Sequence, residues 1–113
     1  MTTSLADKKC MACEGGVSPL DREEAREMLQ KLEQGWEIAE GKKIRKSYEF
    51  DDFVGALDFT NKVGEIAEEA GHHPDIYLTY GEVVLEIWTH SVDGLTGNDF
   101  ILAAKADRAR EQM

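Results

Sequence analysis

Polar and apolar positions along this chain change period several times, and each change marks an element. From Asp51 to Ala70 the residues Phe53, Ala56, Leu57, Thr60, Val63, Ile66, Ala67 and Ala70 recur about every 3.6 positions, which predicts a long amphipathic helix. Gly71 ends it at a position that favours a left-handed residue, and Pro74 pushes His73 out of the helical region. His72 and His73 therefore sit on a helix-to-strand corner.

Shorter segments on either side alternate with period two. Trp36 to Ala39 and Ile44 to Phe50 read as a hairpin joined across Glu40-Gly41-Lys42-Lys43, with Ile44, Lys46, Tyr48 and Phe50 on one face. Ile76 to Tyr80 and Glu82 to His90 read as a second hairpin around Gly81. Val83, Leu85 and Ile87 line one face, and Glu82, Val84, Glu86, Trp88 and His90 the other. A first helix is expected over Pro19 to Gln34, with Ser18 as N-cap, Pro19 in the first position, and Asp21, Glu23 and Glu24 near the positive end of the dipole. Thr96 caps a last helix, with Asp99 three residues on as in a capping box. The order is αββαββα. It predicts an α+β fold in which a four-stranded antiparallel sheet carries its helices on one face and leaves the other open to a partner.

The chain has 113 residues, enough for one domain, which is expected over residues 18–113. Residues 1–17 lack periodicity and read as a flexible arm. The arm carries Cys10 and Cys13, a lone C-x-x-C without the further cysteines of a structural zinc site, so two reduced thiols are expected. A net charge of -10 argues against nucleic-acid binding, which depends on Lys and Arg displacing counterions from phosphates. No apolar run approaches the ~20 residues of a membrane span, and the first residues lack a secretory pattern, so a cytoplasmic protein is expected.

All three histidines of the chain fall between residues 72 and 90. Imidazole titrates near ~6.5 and so exchanges protons at neutral pH without extensive tuning. A hairpin leaving the corner and returning at His90 can bring the three rings to one pocket. Glu68, four residues before His72, would share a face with it on a continuing helix. These residues alone leave proton transfer and metal binding both open, because three histidines also form a catalytic zinc set.

The string Glu68-x-x-x-His72-His73-Pro74, then Tyr80, His90 and Asp99 at their spacing, resembles the signature of the pterin-4a-carbinolamine dehydratase family. Gly35-Trp36, Phe59-Thr60-Asn61 and the element order extend the likeness over most of the folded part, and the C-x-x-C arm resembles those of some bacterial members. The resemblance implies dehydration of 4a-hydroxytetrahydrobiopterin to quinonoid dihydropterin, without metal or organic cofactor, in support of an aromatic amino-acid hydroxylase. It implies His72, His73 and His90 as catalytic residues and Trp36, Glu68, Pro74 and Asp99 as substrate-binding or supporting ones. A homodimer is expected, with a tetramer as the rival. Gly71 departs from the Asp or Asn that often precedes the histidine pair. Alternative roles implied by relatives are a dimerisation partner for a transcription factor and a function in molybdopterin metabolism. A metal-binding module using Cys10, Cys13 and two histidines is a further alternative.

Overall fold

The computed structural model describes residues 5–7 and 19–113. The elements are α1 (Arg22–Leu29), β1 (Glu37–Ala39), β2 (Lys43–Glu49), α2 (Phe53–Ala70), β3 (Asp75–Thr79), β4 (Glu82–Ile87) and α3 (Gly97–Glu111), with short 3-10 turns at Leu5–Asp7 and His90–Val92. The order αββαββα is the expected one, and the strands form one antiparallel sheet in the order β1-β2-β4-β3.

Alternation along the central strands sets the two faces of this sheet. Ile44 pairs with Ile87, Lys46 with Leu85 and Tyr48 with Val83, so these residues share the face covered by α2 and α3. Ile44, Val83, Leu85 and Ile87 are fully buried there. From α2 come Ala56, Phe59, Val63 and Ala67, at the three- and four-residue spacing of a helix stripe. Phe53 and Leu57, read from the sequence as part of that stripe, are instead exposed at the start of the helix. Helix α3 is buried over most of its length, including Phe100, Leu102, Ala103 and Ala106, because it lies among the sheet, α2, α1 and the turn at Leu5–Asp7.

The open face carries an ion cluster. Glu86 accepts from Lys43 Nζ at 3.0 Å and from Arg45 Nε at 2.7 Å, and Tyr77 OH lies 3.3 Å away. Burial by itself raises the Glu86 carboxyl, but its hydrogen bonds and charge pairing with Lys43 and Arg45 outweigh this and hold it below the ordinary value.

Three boundaries depart from the sequence reading. Helix α1 begins after Asp21 rather than at Pro19, because Leu20 N–H is taken by Leu95 O at 2.7 Å. Asp21 then forms a reciprocal capping box with Glu24. The helix ends at Leu29, short of Gln34. Strand β4 stops at Ile87 rather than His90, because Thr89 makes an isolated bridge with Gly94 and His90 opens a 3-10 turn.

Ser18, Cys10 and Cys13 lie outside the described residues. Within the segment read as an arm, Leu5 and Ala6 are buried, Lys105 Nζ donates to Ala6 O at 2.8 Å, and Arg108 pairs with Asp7 at 2.7 Å. No described helix is long and apolar enough to cross a membrane.

Candidate active site

The register between β3 and β4 sets which segment the histidine corner faces. Asp75 pairs with Glu86 in an antiparallel ladder, so each step back from Asp75 towards the corner is matched by a step forward from Glu86. The corner residues His72 and His73 thereby come alongside the segment Trp88-Thr89-His90. Gly71 makes the corner possible. It is left-handed, with φ 68°, and its N–H and that of His72 cap the last carbonyls of α2 at Glu68 and Ala67.

Past that turn the two imidazoles diverge to different carboxylates. His72 Nε2 lies 2.5 Å from Asp99 Oδ1, with the His72 ring mostly buried and the Asp99 side chain fully so. His73 Nε2 lies 2.5 Å from Glu68 Oε2 at the surface, where both side chains are mostly exposed. Glu68 thus serves His73 and not His72, as a continuing helix would have required. The left-handed residue at Gly71 breaks the helical repeat and turns His72 inward. A carboxylate paired with Nε2 in this way favours the tautomer that carries its proton on Nε2.

Asp99 sits at the start of α3, where Thr96 N–H donates to its Oδ2 at 2.8 Å and the Thr89 hydroxyl donates to the same oxygen at 2.9 Å. It is therefore both the helix-start carboxylate expected from the sequence and the partner of His72. His90 is exposed and stacks against Trp88, with ring centroids 4.6 Å apart. The Trp88 ring is also faced by Lys43 and Lys42, whose ammonium groups lie 4.6 and 5.4 Å from its centroid. Lys42 reaches on to Asp93, in the turn after His90, at 3.0 Å. Pro74 stands half-buried between the histidine pair and β3.

Trp36 is not brought to this group. It is buried, its indole N–H donates to Asp107 Oδ2 at 2.9 Å, and its ring packs edge-on against Tyr48. Asp107 lies roughly 12 Å beyond Asp99 along the axis of α3. It also accepts from Tyr48 OH at 2.5 Å and Lys46 Nζ at 2.8 Å. Burial and the adjacent Asp107 charge push the Tyr48 phenol far above its usual range.

Sequence reasoning did not single out Thr89 or Trp88. The alternation that put Trp88 and His90 on one face was a usable signal for Trp88, whereas Thr89 acts through residues seven and ten positions away and leaves no local mark. Among the described residues, no three His, Cys, Asp or Glu side chains are grouped as a metal set.

The family model described as pterin 4 alpha carbinolamine dehydratase matches residues 18–109, which contain every residue of this site. The chain belongs to the pterin-4a-carbinolamine dehydratase family. A relative from Rickettsia bellii, named "putative pterin-4-alpha-carbinolamine dehydratase", is 48% identical over 107 residues, covering 95% of each chain. A Rubrobacter xylanophilus protein of the same name is 47% identical over 94% of this chain and 98% of its own. A crystal structure from Brucella melitensis, described as a transcriptional coactivator/pterin dehydratase, has a TM-score of 0.77 at 32% identity, covering 82% of this chain and 99% of that one. A pterin dehydratase-like protein described as a RuBisCO assembly factor of the alpha-carboxysome shares the fold, with a TM-score of 0.59 at 18% identity over 68% of this chain and 90% of that one. Family membership and the dehydratase fold are thus established, and carbinolamine dehydration is the chemistry associated with the family.

Proposed function

We propose that this protein dehydrates 4a-hydroxytetrahydrobiopterin to quinonoid dihydropterin and water, with His72, His73 and His90 as the proton-transfer groups. The observation that carries the reading is the pair of carboxylate-oriented imidazoles, His72–Asp99 and His73–Glu68, on adjacent residues of one corner. In the reaction an acid protonates the C4a hydroxyl as its C–O bond breaks. A base takes the N5 proton, and the electrons of the N–H bond form the C4a=N5 double bond. One ring able to give a proton and another able to take one meet this need at neutral pH, and such positioned proton transfer contributes on the order of 10²- to 10⁴-fold in rate.

The carboxylates fix tautomer and orientation, as in other carboxylate–histidine pairs. Glu68, Pro74 and Asp99 shape the substrate side of the corner, and Trp36 supports it through the fold. The cellular role is recycling of the pterin used by an aromatic amino-acid hydroxylase, carried out by a cytoplasmic homodimer with no cofactor. The test is stopped-flow absorbance of freshly generated 4a-hydroxytetrahydropterin with and without the protein. Acceleration well above the spontaneous rate is expected. Its absence from well-folded protein would overturn the reading.

A further inference from the structure

Asp99 can orient His72 only if its own carboxylate is held, and the groups that hold it lead back to the third histidine. Oδ2 receives Thr96 N–H at 2.8 Å and the Thr89 hydroxyl at 2.9 Å, which directs Oδ1 towards His72 Nε2. The Thr89 hydroxyl has one proton to give. Since it gives that proton to the carboxylate, the 2.9 Å contact with Thr96 Oγ1 runs from Thr96 to Thr89. Every polar atom in this chain of contacts is thereby used, at a residue 2% exposed.

The backbone of Thr89 makes the second half of the link. Its N–H donates to Gly94 O at 2.9 Å, and its carbonyl accepts from Gly94 and Val92 at 3.3 Å, closing the turn that begins at His90. One residue therefore sets the carboxylate that aims His72 and anchors the turn that presents His90.

We propose that Thr89 is a positioning residue of the dehydratase site: its hydroxyl locks Asp99 against His72 while its backbone fixes His90, so the two imidazoles keep one relative placement. The inference rests on the dehydratase reading for its kinetic consequence, but not for its structural one. Thr89→Val keeps the branched shape and removes the hydroxyl. It leaves Asp99 with one donor on Oδ2 and Thr96 Oγ1 without its acceptor, while the helix-start bond from Thr96 N–H persists. Loss of the outer partner that orients a metal-bound histidine lowers activity by on the order of 10- to 100-fold, and the lower end of that range is the expectation for an imidazole oriented by a carboxylate alone.

The experiment combines single-turnover kinetics on 4a-hydroxytetrahydropterin with long-range ¹H–¹⁵N spectra of the His72 ring, on wild type, Thr89→Val and Thr89→Ser. Thermal melts confirm that each variant is folded, and Thr89→Ala replaces the valine variant should that one not fold. The expected result is a kcat loss of about 10-fold or more for Thr89→Val with a smaller change in KM, a displaced His72 resonance, and recovery of both by Thr89→Ser. An unchanged kcat, an unchanged His72 signal, or a serine variant as impaired as the valine one overturns the proposal. A wild type without dehydratase activity overturns the functional reading instead, and the His72 spectra then decide the Thr89–Asp99 link alone.

Discussion

Replacing Trp36 with Phe separates the role implied by family resemblance, a wall of the pterin pocket, from the place the side chain occupies. The substitution removes the N–H that donates to buried Asp107 at 2.9 Å and part of a ring that is 7% exposed. A hydrogen bond to a charged group contributes about 1.5–3 kcal/mol, and the partly filled void adds roughly 1 kcal/mol more. Asp107 keeps Tyr48 and Lys46 as donors, so no charge is left unpaired. The expected loss is therefore ~2.5–4 kcal/mol, below the ~5–15 kcal/mol stability of a small domain. At ~2.1 cal/mol/K per residue the unfolding entropy corresponds to a Tm decrease of roughly 4 °C per kcal/mol, or about 10–16 °C in all. Calorimetry measures that decrease, and stopped-flow kinetics on 4a-hydroxytetrahydropterin below the melting range measures KM, which should stay within about twofold because Asp107 lies roughly 12 Å from Asp99. A Tm change under ~2 °C together with a several-fold rise in KM would refute the reasoning and return Trp36 to the substrate pocket.

Asp99→Asn should leave a folded protein whose kcat falls by on the order of 10²-fold or more, since the amide can present the wrong group to His72; single-turnover kinetics with a melt as control measures this. Gly71→Ala should cost about 1 kcal/mol in denaturant melts, because φ is 68° there although nothing lies within 4 Å of an added Cβ. The pH dependence of stability should include Glu86. Its folded carboxyl lies below the ordinary value of 4.5, so its stabilising contribution is complete above that value and is lost as pH falls through the folded one. Melts between about pH 6 and pH 3 should thus show a smaller acid-induced decrease in Tm for Glu86→Gln than for wild type, and equal decreases would contradict the role given to Lys43 and Arg45.

Local chemistry carried much of this fold. The period of α2, its stop at Gly71, the alternation through Val83, Leu85 and Ile87, and the Thr96–Asp99 start of α3 are all set by neighbours in sequence, and these are where expectation and structure agree. The misplaced features depend on hydrogen bonds that neither hydrophobic period nor helix-start chemistry reports. Ser18-Pro19 has good helix-start chemistry, yet the Leu20 amide is bound by Leu95, and the helix waits for Asp21. His90 continues the alternation of β4, but the Thr89–Gly94 bridge ends the strand first.

The site shows the same division. That His72 and His73 share a helix-to-strand corner was legible in the sequence, whereas the exchange of partners that gives Glu68 to His73 and Asp99 to His72 followed from one left-handed glycine. The Asp107 cluster, joining Trp36, Lys46 and Tyr48, had no sequence signal, because its members are brought together only by the packing of α3 on the sheet.

The central claim is that adjacent carboxylate-oriented imidazoles perform the dehydration, and a His72→Ala, His73→Ala double variant tests it most directly. Removing His72 leaves the buried Oδ1 of Asp99 without its donor, at a cost of about 1–3 kcal/mol, so the melt of this variant should fall while the protein stays folded at the assay temperature. Its dehydration of 4a-hydroxytetrahydropterin, followed in a single turnover, should fall to near the spontaneous rate. A folded double variant that turns over at the wild-type rate would contradict the account.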